Sequence, residues 1–482
     1  SALTAVQSTN PATGERVASF DVTPASTLSG LFQHARKAQA DWTLTSLAAR
    51  CELIAQLANV LYSRRDELAD LVSRETGKPK VEALFADVLI SLETAKYYAR
   101  NAPDILAPEN IPHQNVAVKA KTGRLTYQPL GVIAVIAPWN YPLAIPLGHV
   151  IPAVVAGNAV VLKPSELAPA CGQMIADCFH DAGFPPHLVQ VVHGGPDVGA
   201  ALLEARPDKV VFTGSTSAGR QVAEACARHL IPSVLELGGK DAMIVLADAD
   251  IEAASSAAVW GAFTNCGQAC LSIERIFVEE SVADRFTQRV AAKASHLRLG
   301  PGTDPDIEIG PMISAQAVDR TEVLLRAAVT EGAQVLAGGN RRPDLGACYF
   351  EPTIVTGVNQ GMSLMREPIF GPIVAIHPVS GVDEAVALTN DCAYGLCASV
   401  WTADANRGRQ IAGRIRSAGA VMINDLASYF GILEAPHGGS GLSGWGRTHS
   451  RLGLLEMVQV RYTDVDWLPR LAKTWCFGYN RA

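Results

Sequence analysis

Two residues in this chain have the type and setting for thiol chemistry. Cys270 closes the segment Phe263-Thr-Asn-Cys-Gly-Gln-Ala-Cys270, and Glu236 opens Glu236-Leu-Gly-Gly-Lys240. A thiolate attacks a carbonyl carbon strongly even when it is a few per cent of the thiol near neutral pH. The resulting thioester then needs a base to activate water, and Glu236 offers a carboxylate for that work. Each residue alone has an ordinary explanation, since most cysteines are inert packing and most glutamates are solvated surface charges. Cys266, four residues before Cys270, leaves two readings open: an oxidisable Cys266–Cys270 pair if the segment turns, or a packing residue.

Positioning such groups takes several cores, because a chain of 482 residues exceeds one compact domain and the length prior gives about three. A composition of 48% hydrophobic and 18% charged residues, without low-complexity tracts, describes an ordinary globular enzyme. The net charge of -7 and the absence of a dense Lys/Arg run argue against nucleic acid or an anionic membrane as partner. Ten scattered cysteines show neither Cys-x-x-Cys pairs nor zinc spacing, so no disulfide framework or metal is indicated, and a reducing cytoplasm fits. No secretory signal is visible in residues 1–20. Residues 125–162 contain no Asp, Glu, Lys or Arg, yet Pro138, Pro142, Pro146 and Pro152 break them up, which argues for buried strand, loop and helix over a membrane span.

Residues 27–102 have helical apolar spacing, and residues 116–121 and 125–128 read as a hairpin about a Thr122-Gly123 turn. Short β-rich runs at 132–137, 159–162, 189–192 and 210–212 then alternate with helix-length segments, which predicts a doubly wound parallel sheet. The alternation restarts after Lys240, with strands at 243–246, 275–278, 373–378 and 398–401 and a helix at 251–263. Glu236 and Cys270 are therefore expected to face each other across a cleft between two α/β domains. Residues 456–467 read as an edge strand suited to the hairpin of a neighbouring subunit, and the apolar run Trp475-Cys-Phe-Gly-Tyr479 as packed.

These segments stand in the order of a known family. From Asn10-Pro-Ala-Thr-Gly-Glu15 to Pro436-His-Gly-Gly-Ser-Gly-Leu-Ser-Gly-Trp-Gly-Arg447, the chain resembles the aldehyde dehydrogenase superfamily nearly end to end. The resemblance implies a Rossmann-like cofactor domain (1–112 and 131–239), a catalytic α/β domain (240–430) and a projecting β oligomerisation element (113–130 and 450–482), assembled as a homodimer or homotetramer. It makes Cys270 the nucleophile and Glu236 the hydrolytic base. Asn140, in Pro138-Trp139-Asn140, becomes the donor that holds the alkoxide, and losing such a donor costs about 3–4 kcal/mol of barrier stabilisation.

For the cofactor it implies Gly214, Ser215 and Gly219 at the pyrophosphate, where a helix N-terminus would follow a strand. Lys163, Ser165 and Glu166 would lie at the adenosine ribose, Glu367 and Phe370 at the nicotinamide half, and Trp139 beside it. The acidic Glu166 disfavours a 2′-phosphate and favours NAD, while the small Ser165 admits NADP. The substrate is a small-molecule aldehyde, with Tyr141, Ala144, Leu271, Phe430 and His437 forming a largely apolar tunnel. His437 stands where many relatives carry phenylalanine, and Pro436-His-Gly-Gly resembles aminoaldehyde-oxidising members. Alternatives are a coenzyme-A-acylating relative, which would do without Glu236, a thiol esterase, or a non-catalytic structural relative.

Overall fold

β-branched runs too apolar for a surface form the centres of two parallel sheets. The structure, a computed structural model, describes residues 4–468 and 477. Val132–Ile136, Ala159–Lys163, Val189–Val191, Lys209–Gly214 and Ser233–Leu237 pair in parallel, and numbered along the chain their spatial order is 3-2-1-4-5. This is the doubly wound order whose direction of winding reverses between strands 1 and 4, and a crevice opens beyond the strand ends at that point. Pro138-Trp139-Asn140 leaves the first of those strands, and Ser215 leaves the other.

The second sheet runs Gln334–Ala337, Thr353–Thr356, Ile373–Val379, Ile273–Glu279, Asp241–Val245, Cys397–Trp401 and Ala420–Ile423, all parallel except the first. Only three residues separate Leu237 from Asp241, so the chain passes from one sheet to the other beside Glu236. Each sheet lies in its own apolar core. The expected helical block is present as Ala25–Thr43, Leu47–Ser63, Arg65–Thr76 and Ile90–Ile105, with a π-helical turn at Ala83–Leu89. No described helix is long and apolar enough to cross a membrane. The stretch that superficially resembled a span is a buried strand, the buried helix Ala144–Val155 and another buried strand.

Two expectations are corrected. Thr122-Gly123 is not a turn: Lys121–Pro129 is one strand, flanked by Glu109–Ile111 and Val458–Asp466. A local turn preference yields to a nine-pair ladder, and Gly123 suits it because a Cβ there would sit 2.6 Å from the Tyr462 hydroxyl. The carboxyl-terminal strand pairs along its length with Lys121–Pro129 of its own chain. This sheet starts at Glu109, earlier than residue 113, and the helix Ser450–Leu455 packs on the first domain's helices rather than in the projecting element. Of the apolar run at 475–479, Phe477 is exposed and the other residues lie outside the described residues.

Candidate active site

The loop carrying Cys270 is built from unusual backbone. After the helix Ile251–Phe263, three successive residues, Asn265, Cys266 and Gly267, adopt left-handed φ values of 50°, 56° and 71°. Gly267 alone has no Cβ to accommodate, and a Cβ there would lie 2.2 Å from the Gly371 carbonyl. The two non-glycine residues are held by surrounding contacts, as such backbone requires. The Glu82 carboxylate accepts from the Asn265 N–H at 3.0 Å and the Thr264 hydroxyl at 3.1 Å. Burial pushes Glu82 up to about 7. Asn265 Nδ2 in turn donates to the carbonyls of Asn140 at 3.2 Å and Gln268 at 3.1 Å.

Asn140 is fixed from its other side by a fully buried ion pair. Lys78 Nζ lies 2.7 Å from Asp87 and donates to the Asn140 carbonyl at 2.6 Å. Asp87 accepts from the N–H groups of Leu143 and Ala144, each at 3.1 Å. Such a pair persists because its remaining valences are hydrogen-bonded, and losing either partner would leave an uncompensated buried charge. One Asn140 Nδ2 hydrogen goes to the Gln268 carbonyl at 3.2 Å, and its buried Oδ1 has no partner. A second amide hydrogen remains for a ligand.

Cys270, Glu236 and Asn140 line a single cavity of about 710 Å³ between the two sheets. Burial, with Glu236 and Asp241 adding to it, pushes the Cys270 thiol up to about 12. Burial likewise raises Glu236 to about 7, against the Thr448 hydroxyl, which donates to it at 2.5 Å. Thr448 arrives because Gly444–Trp445 adds to the edge of Ser233–Leu237, with Gly444 opposite Glu236. His149 and His437 each place Nε2 4.0 Å from Glu236 Oε2. Desolvation holds His149 down to about 3 and His449 to about 4, and drives His437 well below the usual imidazole value, so all three imidazoles are neutral near pH 7. His437 Nδ1 meets the Tyr429 hydroxyl at 2.6 Å.

The far end of this cavity is lined by Gly214, Ser215, Thr216 and Ser217, where the helix Thr216–His229 begins. Ser215 caps that helix by accepting from the Ala218 N–H at 3.3 Å. Gly219 lies beneath the lining, and a Cβ there would come within 2.5 Å of Leu237, so its bareness sets how closely the helix approaches the sheet. Trp139 and Phe370 line the cavity and meet edge to face at 5.7 Å. Phe370 has a φ of 52°, and the turn is secured because Glu274, paired with Lys240 at 2.6 Å, accepts from the N–H groups of Ile369 and Phe370.

Besides Gly219, four expected cofactor residues, Lys163, Ser165, Glu166 and Glu367, lie outside the lining, while Leu167 and Arg320 belong to it. Lys163 is buried at its strand end, 3.8 Å from the half-exposed Glu166. Tyr141, Leu271 and Phe430 line a second cavity that also reaches Cys270, and His437 lines the first. Ala144 is corrected: its fully buried side chain lines neither cavity, and its N–H serves Asp87. Cys266 packs in the second domain's core, where burial raises its thiol. Among the described residues no cluster suited to a metal occurs.

Sequence reasoning missed Lys78, Asp87, Glu82, Glu274, His149 and Thr448. Only Thr448 carried a signal, since it follows the Gly-Trp-Gly-Arg447 segment directly.

Residues 1–463 match the aldehyde dehydrogenase family. A Mycobacterium ulcerans protein named as an NADP(+)-dependent succinate-semialdehyde dehydrogenase is 39% identical, over 93% of this chain and 86% of its own. The 4,4'-diapolycopene aldehyde oxidase of a Methylomonas species is 37% identical, over 94% of this chain and 84% of its own. The solved NAD+ complex of an aldehyde dehydrogenase from Bacillus cereus superposes with a TM-score of 0.92 at 33% identity, covering 96% of this chain and 93% of that one. With the family matched over nearly its whole length and two parallel-sheet domains enclosing the cavity, the chain belongs to the aldehyde dehydrogenase family, as a nicotinamide-dependent oxidoreductase acting on aldehydes.

Proposed function

We propose that the chain oxidises an aldehyde to a carboxylate through a covalent intermediate on Cys270. The observation that carries this reading is that Cys270, Glu236 and Asn140 line the same buried cavity from both sides of the domain junction. The Cys270 thiol gives its proton to solvent and its sulfur adds to the aldehyde carbon. The free Asn140 N–H and the Cys270 backbone N–H hold the resulting thiohemiacetal oxyanion. A bound nicotinamide cofactor supplies the hydride acceptor. Glu236 then takes a proton from water as it attacks the thioester, releasing the acid and restoring the thiol. The presence of this buried carboxylate speaks against transfer of the acyl group to coenzyme A. Aldehyde-dependent formation of reduced cofactor, with one acid produced for each, tests the reading against an esterase or an inactive relative.

The residues present fit a dinucleotide. Backbone N–H groups at the start of Thr216–His229 face the cavity, and the unpartnered Asn140 Oδ1 and the Trp139–Phe370 pair stand near its middle. Gly214 and Ser215 would take the pyrophosphate. Glu367, which is exposed, and Lys163, Ser165 and Glu166 would take the two riboses from the margins. NAD is the favoured cofactor because Glu166 would repel a 2′-phosphate. Glu166→Gln is expected to raise kcat/KM for NADP relative to NAD by about fivefold, from ~1 kcal/mol of relieved repulsion at the surface. An unchanged ratio would assign the choice to Ser165 and the local backbone.

Glu236 near 7 should give kcat an acid limb near pH 7 when hydrolysis limits turnover, because the protonated carboxyl cannot accept water's proton. The Thr448 hydroxyl stabilises the ionised form, so Thr448→Val should move that limb to higher pH. The variant is then slower at pH 7 and recovers in alkali. A limb that stays in place in a kcat–pH profile would separate Thr448 from the base. Among the described residues Val458–Asp466 has one neighbouring strand, Lys121–Pro129, and it exposes Val460, Tyr462 and Val465, which supports assembly of copies through this edge into a homodimer or homotetramer.

A further inference from the structure

We propose that the site is shaped for an uncharged aldehyde with a long apolar tail, its carbonyl at Cys270 and its tail running outward through the second cavity. The proposal rests on the reading of Cys270 as nucleophile. This cavity, of about 230 Å³, is lined by Phe85, Tyr141, Ile145, Trp260, Leu271 and Phe430 among others, and among the described residues no Arg, Lys, His, Asp or Glu contributes to it. Its hydroxyls at Thr264 and Ser428 already donate to carboxylates, Glu82 at 3.1 Å and Asp425 at 2.6 Å.

Of the cations adjoining the site, Arg320 lines the first cavity and not this one, and two others are committed elsewhere. Lys78 lies 3.9 Å over the Tyr141 ring, but it is fully buried and bound to Asp87 and the Asn140 carbonyl. Arg447 Nη1 donates to the Gly439 carbonyl at 3.0 Å and the Gly446 carbonyl at 2.7 Å. A substrate carboxylate entering this cavity would lose its water and meet no cation in the lining, which is a costly way to bury charge.

The outer end is apolar as well. Phe85 is 59% and Trp260 48% exposed although both line the cavity, and Leu89 and Ile432, 38% and 51% exposed, adjoin the lining residues Ile90 and Gly431. Exposed aromatic and aliphatic side chains continuous with an apolar cavity extend the surface a tail can cover beyond the cavity itself. The cavity takes the first carbons of such a tail. Carbons beyond these would rest on the rim. The name of the mycobacterial relative points to a short aldehyde ending in a carboxylate, and the lining of this cavity is at odds with that chemistry.

The test is kcat/KM for butanal, hexanal, octanal and decanal beside 4-oxobutanoate, with acid formation measured in each case. Each added methylene is expected to raise kcat/KM about three- to fourfold until the cavity is full. 4-Oxobutanoate is expected to fall at least about a hundredfold below butanal. Trp260→Ala, a half-exposed position, should lower the decanal-to-butanal ratio about tenfold. A flat series, an unchanged ratio in Trp260→Ala, or 4-oxobutanoate matching butanal would overturn the substrate proposal while oxidation by Cys270 stood. No reduced cofactor with any aldehyde would overturn the oxidation reading itself, and this proposal with it.

Discussion

Cys270→Ala is expected to reduce aldehyde oxidation by on the order of 10⁴-fold or more, while the cofactor still binds, because no other group at the cavity replaces a sulfur nucleophile. Cys266 is no substitute, since it packs in the second domain's core. Its thiol, like that of Cys270, is raised by burial. Binding is read by equilibrium titration with NAD, and oxidation by reduced-cofactor formation. Retained turnover in the alanine variant would sink the covalent mechanism. Loss of both readouts would instead indicate that the substitution collapses the left-handed loop before Cys270.

The second large effect belongs to Glu236→Gln. The carboxamide oxygen can still accept from Thr448, so the local packing survives while the base is lost. Steady-state kcat should fall by about 10²–10⁴-fold, the usual contribution of a positioned base. Hydride transfer precedes hydrolysis, so rapid mixing should show a burst approaching about one reduced cofactor per subunit before the slow phase. If the burst itself disappears while substrate and cofactor bind normally, Glu236 acts earlier, as the acceptor of the Cys270 proton.

Most of the scaffold was legible because its signals are local. The run Val-Ile-Ala-Val-Ile at Val132–Ile136 can be satisfied only by burial on both faces, and the helix Ile251–Phe263 has its Asp250 cap in sequence. The strand-to-helix passage at Ser215 is similarly local. Thr122-Gly123 misled because a turn-forming dipeptide carries no mark of the distant strand Val458–Asp466 that straightens it. Ala144 was placed in the tunnel by its nearness to Tyr141, whereas helix geometry turns it into the interior.

By itself the sequence determined the two alternating α/β units and, through its family resemblance, the type of chemistry, since strand and helix patterns and motif order are local. The tertiary structure decided the electrostatic state of the site. Glu236 and Thr448 are 212 residues apart, yet their hydrogen bond and shared burial set the acidity of the base. Lys78, held by Asp87, fixes Asn140 within the first domain, and Glu82 reaches across the cleft to the nucleophile loop, without any local pattern announcing it. Such pairings arise only when separate segments exclude water together, because desolvation shifts protonation and gives each buried hydrogen bond its consequence.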